Sequence, residues 1–275
     1  MVKVGHFAIL FTLGFSLFTA RASASDVAAR YKEGAIHAFL TLSTLEGDAI
    51  AEGDLTQVAH GSQVTMRVVF HFKDGSRQDE TTIFSQRDNL QLVSYRLIQE
   101  GPTFPHPTEL SVVTATGQVR VRYTDDKGNK KVEDQHLKLP PDLANGLVVM
   151  FLRNLKTGVP VPQLSMVVAT PKPRVVKLSI RSQGTEPFFI GGSKREATDY
   201  DIKVDIGGVA GVVAPLVGKQ PPDAHLWMIG GEVPTFVKSE TLSYPDGPLW
   251  RMELTSPVWP KTETDESKKP TSAKP

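Results

Sequence analysis

The stretch Pro140-Pro141-Asp142-Leu143-Ala144-Asn145-Gly146-Leu147-Val148-Val149-Met150-Phe151-Leu152-Arg153-Asn154-Leu155-Lys156 reads as the one helix of a chain otherwise patterned for strands. The two prolines block an upstream extension, and Asp142 is placed to cap the first turn. Arg153 and Lys156 fall in the last turn, where cations meet the negative end of the helix dipole. Gly158 then offers a left-handed stop and Pro160 forbids resumption. Leu143, Leu147, Met150, Phe151 and Leu155 form an i, i+4, i+7, i+8, i+12 stripe, which Ala144, Val148 and Leu152 widen. Only Asp142, Asn145, Gly146, Arg153 and Lys156 break the apolar circumference, so a helix over 142–156 needs cover on several sides. It is too short to span a bilayer, and burial inside a sheet is the expected placement.

Strands precede and follow it. Val64, Met66, Val68, Phe70 and Phe72 alternate with Thr65, Arg67, His71 and Lys73, a half-buried strand that turns at Asp74-Gly75 into Arg77–Phe84. Asp88-Asn89 turns again into Leu90–Gln99. The prolines of Gly101–Pro107 mark a stiff loop outside any central strand. Segments 109–115, 118–124 and 130–139 form a meander in which Val119, Val121 and Tyr123 face in while Arg120 and Arg122 face out. Beyond the helix, 163–169 and 176–181 follow, then Tyr200, Ile202, Val204 and Ile206 alternating with Asp199, Asp201, Lys203 and Asp205. Segments 224–229, 235–243 and 249–256 complete roughly a dozen strands, mostly joined by hairpin-sized turns. The fold class expected is mainly β: a curved antiparallel sheet forming a barrel or half-barrel around one buried central helix.

The chain of 275 residues opens with Lys3, an apolar run from Phe7 to Phe18 and Ala22-Ser23-Ala24, the layout of a signal peptide over 1–24. A single β-rich domain over 25–260 and a disordered, lysine- and proline-rich tail over 261–275 are expected to follow. This predicts a periplasmic or secreted protein with no transmembrane span after cleavage. Cysteine is absent, which excludes disulfides and an acylated cysteine anchor. Of 31 Lys and Arg against 30 Asp and Glu, the leader removes Lys3 and Arg21, leaving 29 basic residues. A near-neutral balance supplies no electrostatic case for nucleic acid.

Motifs for chemistry are missing. His37, His60, His71, His106, His136 and His225 show neither H-x-H nor HExxH spacing, so no metal site and no cofactor is assigned. Gly191-Gly192-Ser193-Lys194-Arg195 lacks G-x-S-x-G, and Ser193–Glu196 reads as a solvated turn. Asp199, Asp201 and Asp205 lie at i, i+2 and i+6 on a strand whose other face is apolar, the pattern of a wet outer face. Residues 207–219 are glycine-rich and apolar and end in Gly218-Lys219. Six residues separate Gly211 from Gly218, and Gln220 stands where a phosphate loop needs Ser or Thr. The segment reads either as a buried turn or as a greasy lip over a cavity. No catalytic residue is assigned.

The span from Tyr200 to Pro257 carries Pro221-Pro222-Asp223, His225-Leu226-Trp227-Met228 and Gly247-Pro248-Leu249-Trp250-Arg251-Met252-Glu253-Leu254. In this pattern it resembles uncharacterised exported bacterial proteins related to the outer-membrane lipoprotein carrier fold. That resemblance implies a curled antiparallel sheet with helix on its concave side and a cavity for acyl chains. The leading expectation is an apolar-ligand binder for lipid or acyl chain. Its site would comprise Met150 and Phe151 on the helix, Phe188 and Phe189 at the mouth, Val209, Val213 and Leu216 on the lip, and Trp227 as a wall. Two alternatives stand beside it: a non-catalytic structural or assembly protein of the envelope that binds a protein partner, and a hydrolase with groups converging in a cleft.

Overall fold

A computed structural model describes residues 27–156, 158–190, 193–205 and 221–255. The leader-like segment, the glycine-rich connection with Val209, Val213 and Leu216, and the tail lie outside these residues. Fourteen strands form one antiparallel sheet. The first meander runs β1 (Ile36–Thr44), β2 (Ala49–His60), β3 (Gln63–Phe72), β4 (Arg77–Ser85), β5 (Gln91–Glu100), β6 (Thr108–Val113), β7 (Gln118–Thr124) and β8 (Lys130–His136). The chain then passes through helix α1 (Val148–Asn154) to β9 (Leu164–Val168), β10 (Arg174–Ile190), β11 (Ser193–Asp205), β12 (Ala224–Ile229), β13 (Thr235–Leu242) and β14 (Leu249–Leu254). Strand β14 pairs with β1, with Leu40 opposite Leu254 and Leu42 opposite Met252, so β8 and β9 are left as the two edges.

The sheet curls on itself. The largest core cluster draws Val64, Phe84, Leu110, Val112, Val119 and Val121 from one end of the strand order and Leu164, Val167, Leu178 and Ile180 from the other. Strands so far apart in the sheet share a core only if the sheet bends round. Leu143, Leu147, Phe151 and Leu152, each at most 3% exposed, lie between them as a plug. Irregular register at Leu42/Ser43, Ile83/Phe84, Ser182/Gly184 and Trp227/Met228 adds local twist. At Gly53 a Cβ would stand 2.5 Å from the Phe70 ring, so only glycine lets that ring lie flat on β2.

The 142–156 helix is corrected to one of seven residues. Gly146 has φ +67°, a left-handed conformation that interrupts any helix through it. Leu147 takes the N-cap position with no side-chain cap, and Leu155 is already extended. Asp142 does not cap. Its backbone carbonyl accepts from the Ser165 N–H at 3.0 Å, and its carboxylate accepts from Ser165 Oγ at 2.7 Å and Lys177 Nζ at 3.1 Å. The residues before Gly146 instead bond to β9, where Leu143 bridges Ser165 in parallel fashion. The Asn145 side chain spans Val167, donating to its carbonyl and accepting from its N–H, both at 2.8 Å. A second departure is the β10–β11 hairpin, which is longer than its sequence pattern. Ser193–Glu196 continues strand β11, and residues 187–190 and 193–196 pair only with each other.

Candidate functional site

The plug end is closed by an extended N-terminal segment ahead of β1. Ala28 bridges Asn89, and the Tyr31 N–H donates to Asn154 Oδ1 at 2.9 Å. Arg30 donates to the Leu155 carbonyl at 2.7 Å. Glu33, with its side chain 1% exposed, pairs with Arg153 at 2.9 Å and accepts from Gln57 Nε2 at 3.0 Å. The opposite end is filled by a second cluster of Leu40, Leu42, Phe70, Phe72, Phe104 and Trp250. There Phe72 and Phe104 meet edge to face at 5.3 Å. Two open clefts of about 240 and 320 Å³ flank Trp250 on the outer rim of that end.

Between the two clusters lies a belt. Ala38, Leu55, Val68, Glu80 and Leu97 stand side by side across five strands, each opposite the next on the concave face, and each keeps partial exposure. The adjacent row toward the plug, Gln57–Met66–Thr82–Tyr95–Val112, is buried throughout. On the other side Leu40, Gly53, Phe70 and Gln99 are buried and only Gln78 is not. A water-sized sphere therefore reaches the middle of a concave face whose two ends are packed. Leu55 touches both clusters, which places the belt at their junction. Tyr200, Phe236 and Met252 on the second meander are also only partly buried on their inner sides.

Glu80 is the singular residue of this belt. Among the described residues of β2 to β7, it is the one charged side chain on the concave side. Arg67, Asp79, Arg96, Glu109, Arg120 and Arg122 pair on the convex side. Loss of solvation raises the pKa of the partly buried Glu80 above the usual carboxylate range, opposed by a hydrogen bond from Tyr95. Burial first, and then the Glu80 charge, pushes the Tyr95 hydroxyl well above its ordinary value, so it stays a donor. Above the pair runs Gly146, whose missing Cβ would fall 2.0 Å from Thr82 Oγ1 and 3.0 Å from Glu80 Oε1. Thr82 is 1% exposed, and its hydroxyl has no hydrogen-bond partner. A carboxyl of raised pKa and an unpaired hydroxyl thus converge where the plug meets the belt.

Other polar groups are structural ties. Ser165 Oγ sits 2.8 Å from Lys177 Nζ, a serine–lysine pairing, but Ser165 is 0% exposed and no substrate carbonyl has a route to it. His225 Nδ1 lies 3.1 Å from Asp199, and its ring stacks on Trp227 at 5.5 Å. Among the described residues no group of three His, Asp or Glu is arranged to hold a metal ion. No helix among them is long and apolar enough to cross a membrane.

The eight residues read from the sequence as a site are not brought to one place. Met150 and Phe151 belong to the plug core, 7% and 1% exposed. Trp227 packs with Ala197 and Val237 in a small separate cluster, beneath Lys238 Nζ at 3.7 Å from its ring, and Phe188 leans on that cluster. Phe189 stands 67% exposed on the projecting hairpin. Glu80, Thr82 and Tyr95 were missed. The signal that finds them is parity, since Glu80 and Thr82 share the inward phase of Phe84 on β4.

No protein-family model matches the chain, and no curated protein matches it. Among solved structures, the chain is similar to a beta-barrel-like protein of the domain of unknown function DUF1849 from Brucella abortus. That protein is 11% identical to it, with a TM-score of 0.41, over 80% of this chain and 94% of that one.

Proposed function

We propose that the protein is an exported binder of an apolar ligand, a lipid or acyl chain, held in the belt between the two core clusters. One observation carries this reading: the accessible row Ala38–Leu55–Val68–Glu80–Leu97 inside an otherwise packed concave face. A concave, mostly apolar surface with a few convergent polar groups is the general form of a small-molecule site. Burying about ten methylenes there yields on the order of 8 kcal/mol gross, at about 0.8 per CH₂, before the costs of association. In this reading Met150 and Phe151 belong to the closed floor. The resemblance of residues 200–257 to the lipoprotein carrier fold and the leader-like residues 1–24 support the same view.

The test is native mass spectrometry of the purified mature protein, joined to titration with a fluorescent acyl probe. Lipid adducts and saturable uptake are expected. Leu97→Trp, which fills the row, is expected to weaken uptake at least about tenfold. Lipid-free protein that ignores the probe, or uptake unchanged by L97W, overturns the reading. A second reading, assembly with an envelope protein, is favoured by the projecting β10–β11 ribbon with Phe189 at its surface. It predicts a fixed partner in cross-linking that Phe189→Ser releases.

A further inference from the structure

The two edges of the sheet are not alike. On β9 the plug segment covers the edge: Leu143 bridges Ser165, the Ala144 N–H donates to the Ser165 carbonyl at 2.7 Å, and the Asn145 side chain spans Val167. Among the described residues β8 pairs with β7 alone, and its other side meets no strand. Lys130, Lys131, Val132, Asp134 and His136 are exposed on it, Val132 at 59%. An edge of free N–H and C=O groups is a template for another strand unless something blocks it. Charged side chains commonly supply the block, and β8 carries them on both sides of one valine, as Lys130-Lys131-Val132-Glu133-Asp134. Their order is self-complementary. Counted outward from Val132, each lysine on one side is matched by an acid at the same distance on the other.

An edge strand pairs antiparallel with its own copy only about a two-fold axis normal to the sheet. Such an axis keeps every residue on its own face and passes through one central residue, which then faces itself. The centres that overlap five or more residues of β8 are Val132, Glu133 and Asp134. A centre at Glu133 or Asp134 sets that carboxylate directly against its twin, which is unfavourable. A centre at Val132 sets Lys130 opposite Asp134 of the second copy and Lys131 opposite Glu133, each twice, around a contact of the two valines. The faces agree as well. Lys131 and Glu133 stand opposite Tyr123 and Val121 on the concave side, and Lys130, Val132 and Asp134 stand opposite Thr124, Arg122 and Arg120 on the convex side. Within the chain Asp134 pairs with Arg120, and Lys131 Nζ lies 3.8 Å from Asp125, whereas Lys130 and Glu133 make no ion pair among the described residues. We infer that the protein associates with a second copy of itself through β8, centred on Val132, so that two sheets join into one. This is independent of what the belt holds.

One edge strand is a small contact beside the roughly 1,200–2,000 Å² of stable interfaces, so the dimer forms reversibly with concentration. Sedimentation velocity of the purified mature protein, from about 1 to 500 μM at low salt, is expected to show a monomer–dimer equilibrium that high salt weakens. Lys131→Glu and Glu133→Lys each set like charges opposite one another, and each is expected to weaken association at least about tenfold. The double variant K131E/E133K restores the match and is expected to return to within about threefold of the parent. Mixing the two single variants is expected to give heterodimers, since each supplies the charge the other lacks. Recovery in the double variant and in the mixture separates lost pairing from lost folding. The chain has no cysteine, so Val132→Cys places a single thiol on the axis. It is expected to oxidise to a linked dimer at least about tenfold faster than Lys130→Cys, whose thiols lie four residues out of register, at about 3.3 Å per residue. A parent that stays monomeric over the whole range overturns the inference. So do dimers indifferent to the single reversals, single variants that stay unpaired when mixed, and equal oxidation of the two cysteine variants.

Discussion

Replacing Gly146 by alanine separates two accounts of the plug by the sign of its effect. Were residues 142–156 one helix, alanine would stabilise the protein by about 1 kcal/mol, the usual gain over glycine in a helix interior. The structure demands the opposite. A non-glycine residue at φ +67° costs about 1 kcal/mol. Its Cβ would also stand 2.0 Å from Thr82 Oγ1 and 3.2 Å from Thr82 Cβ, on a side chain 1% exposed with little room to yield. Overpacking of that kind costs about 1–3 kcal/mol, so Gly146→Ala is expected to lose about 2–4 kcal/mol in all. Thr82→Ala, which removes both the hydroxyl and the methyl, restores part of this in the double variant. A coupling energy of about 1 kcal/mol or more is expected. Urea unfolding of parent, both single variants and the double closes the cycle, provided the denaturant slope stays constant. A Gly146→Ala variant within about 0.5 kcal/mol of the parent, or strictly additive variants, would refute the seating of the plug on β4.

Three further outcomes follow from the charged groups. Glu80 has a raised folded-state pKa, so its contribution is present below the unfolded carboxylate value and is lost as pH rises through the folded one. Glu80→Gln is therefore expected to gain stability over the parent by about 1.4 kcal/mol for each pH unit crossed in that window. Paired denaturation curves from acid to neutral pH test this, and a constant difference between the two proteins would contradict it. Asp79 behaves in the reverse sense. The Arg67 hydrogen bond, at 2.7 Å, holds its carboxyl below the usual range, and Arg77 adds to this. Its contribution is present at neutral pH and fades as acid approaches the lowered pKa. Arg67 is half exposed, so solvent screening limits the loss in Asp79→Asn to about 1 kcal/mol, visible at neutral pH and absent in strong acid. Arg153→Met strands the buried Glu33 carboxylate and is expected to cost about 3 kcal/mol. Adding Glu33→Gln should recover most of that loss, and thermal melts showing no recovery would contradict the pairing.

How much of this was readable depends on which residues one follows. The inward phase of Val64, Met66, Phe70 and Phe72 on β3, and of Val119 and Val121 on β7, matches the alternation of the sequence because a pleated strand has period two and no other freedom. The strand limits of β7 and β12 agree to the residue with those expected. The plug's burial inside the sheet read correctly but the extent of its helix did not, because an apolar stripe flanked by prolines and an aspartate describes an amphipathic helix and an extended packing segment equally well. The partners that decide between them, Ser165 and Lys177, lie 23 and 35 residues from Asp142. The β10–β11 ribbon escaped notice for a different reason. Its outer half is mostly exposed, so it carries no buried stripe to reveal the strands.

Sequence alone therefore determined the antiparallel meanders and the face each residue presents, both of which are local consequences of pleat and turn. The pairing of β1 with β14 is not local. It joins strands separated by nearly the whole described chain, and it brings the two meanders face to face around residues 143–152. Only that closure turns one face of the polar run Arg77-Gln78-Asp79-Glu80-Thr81-Thr82 into an inner wall with a single carboxyl of raised pKa. The burial that raises the Glu80 pKa comes from groups distant in sequence, among them the plug at Gly146, and no pattern within β4 could supply it.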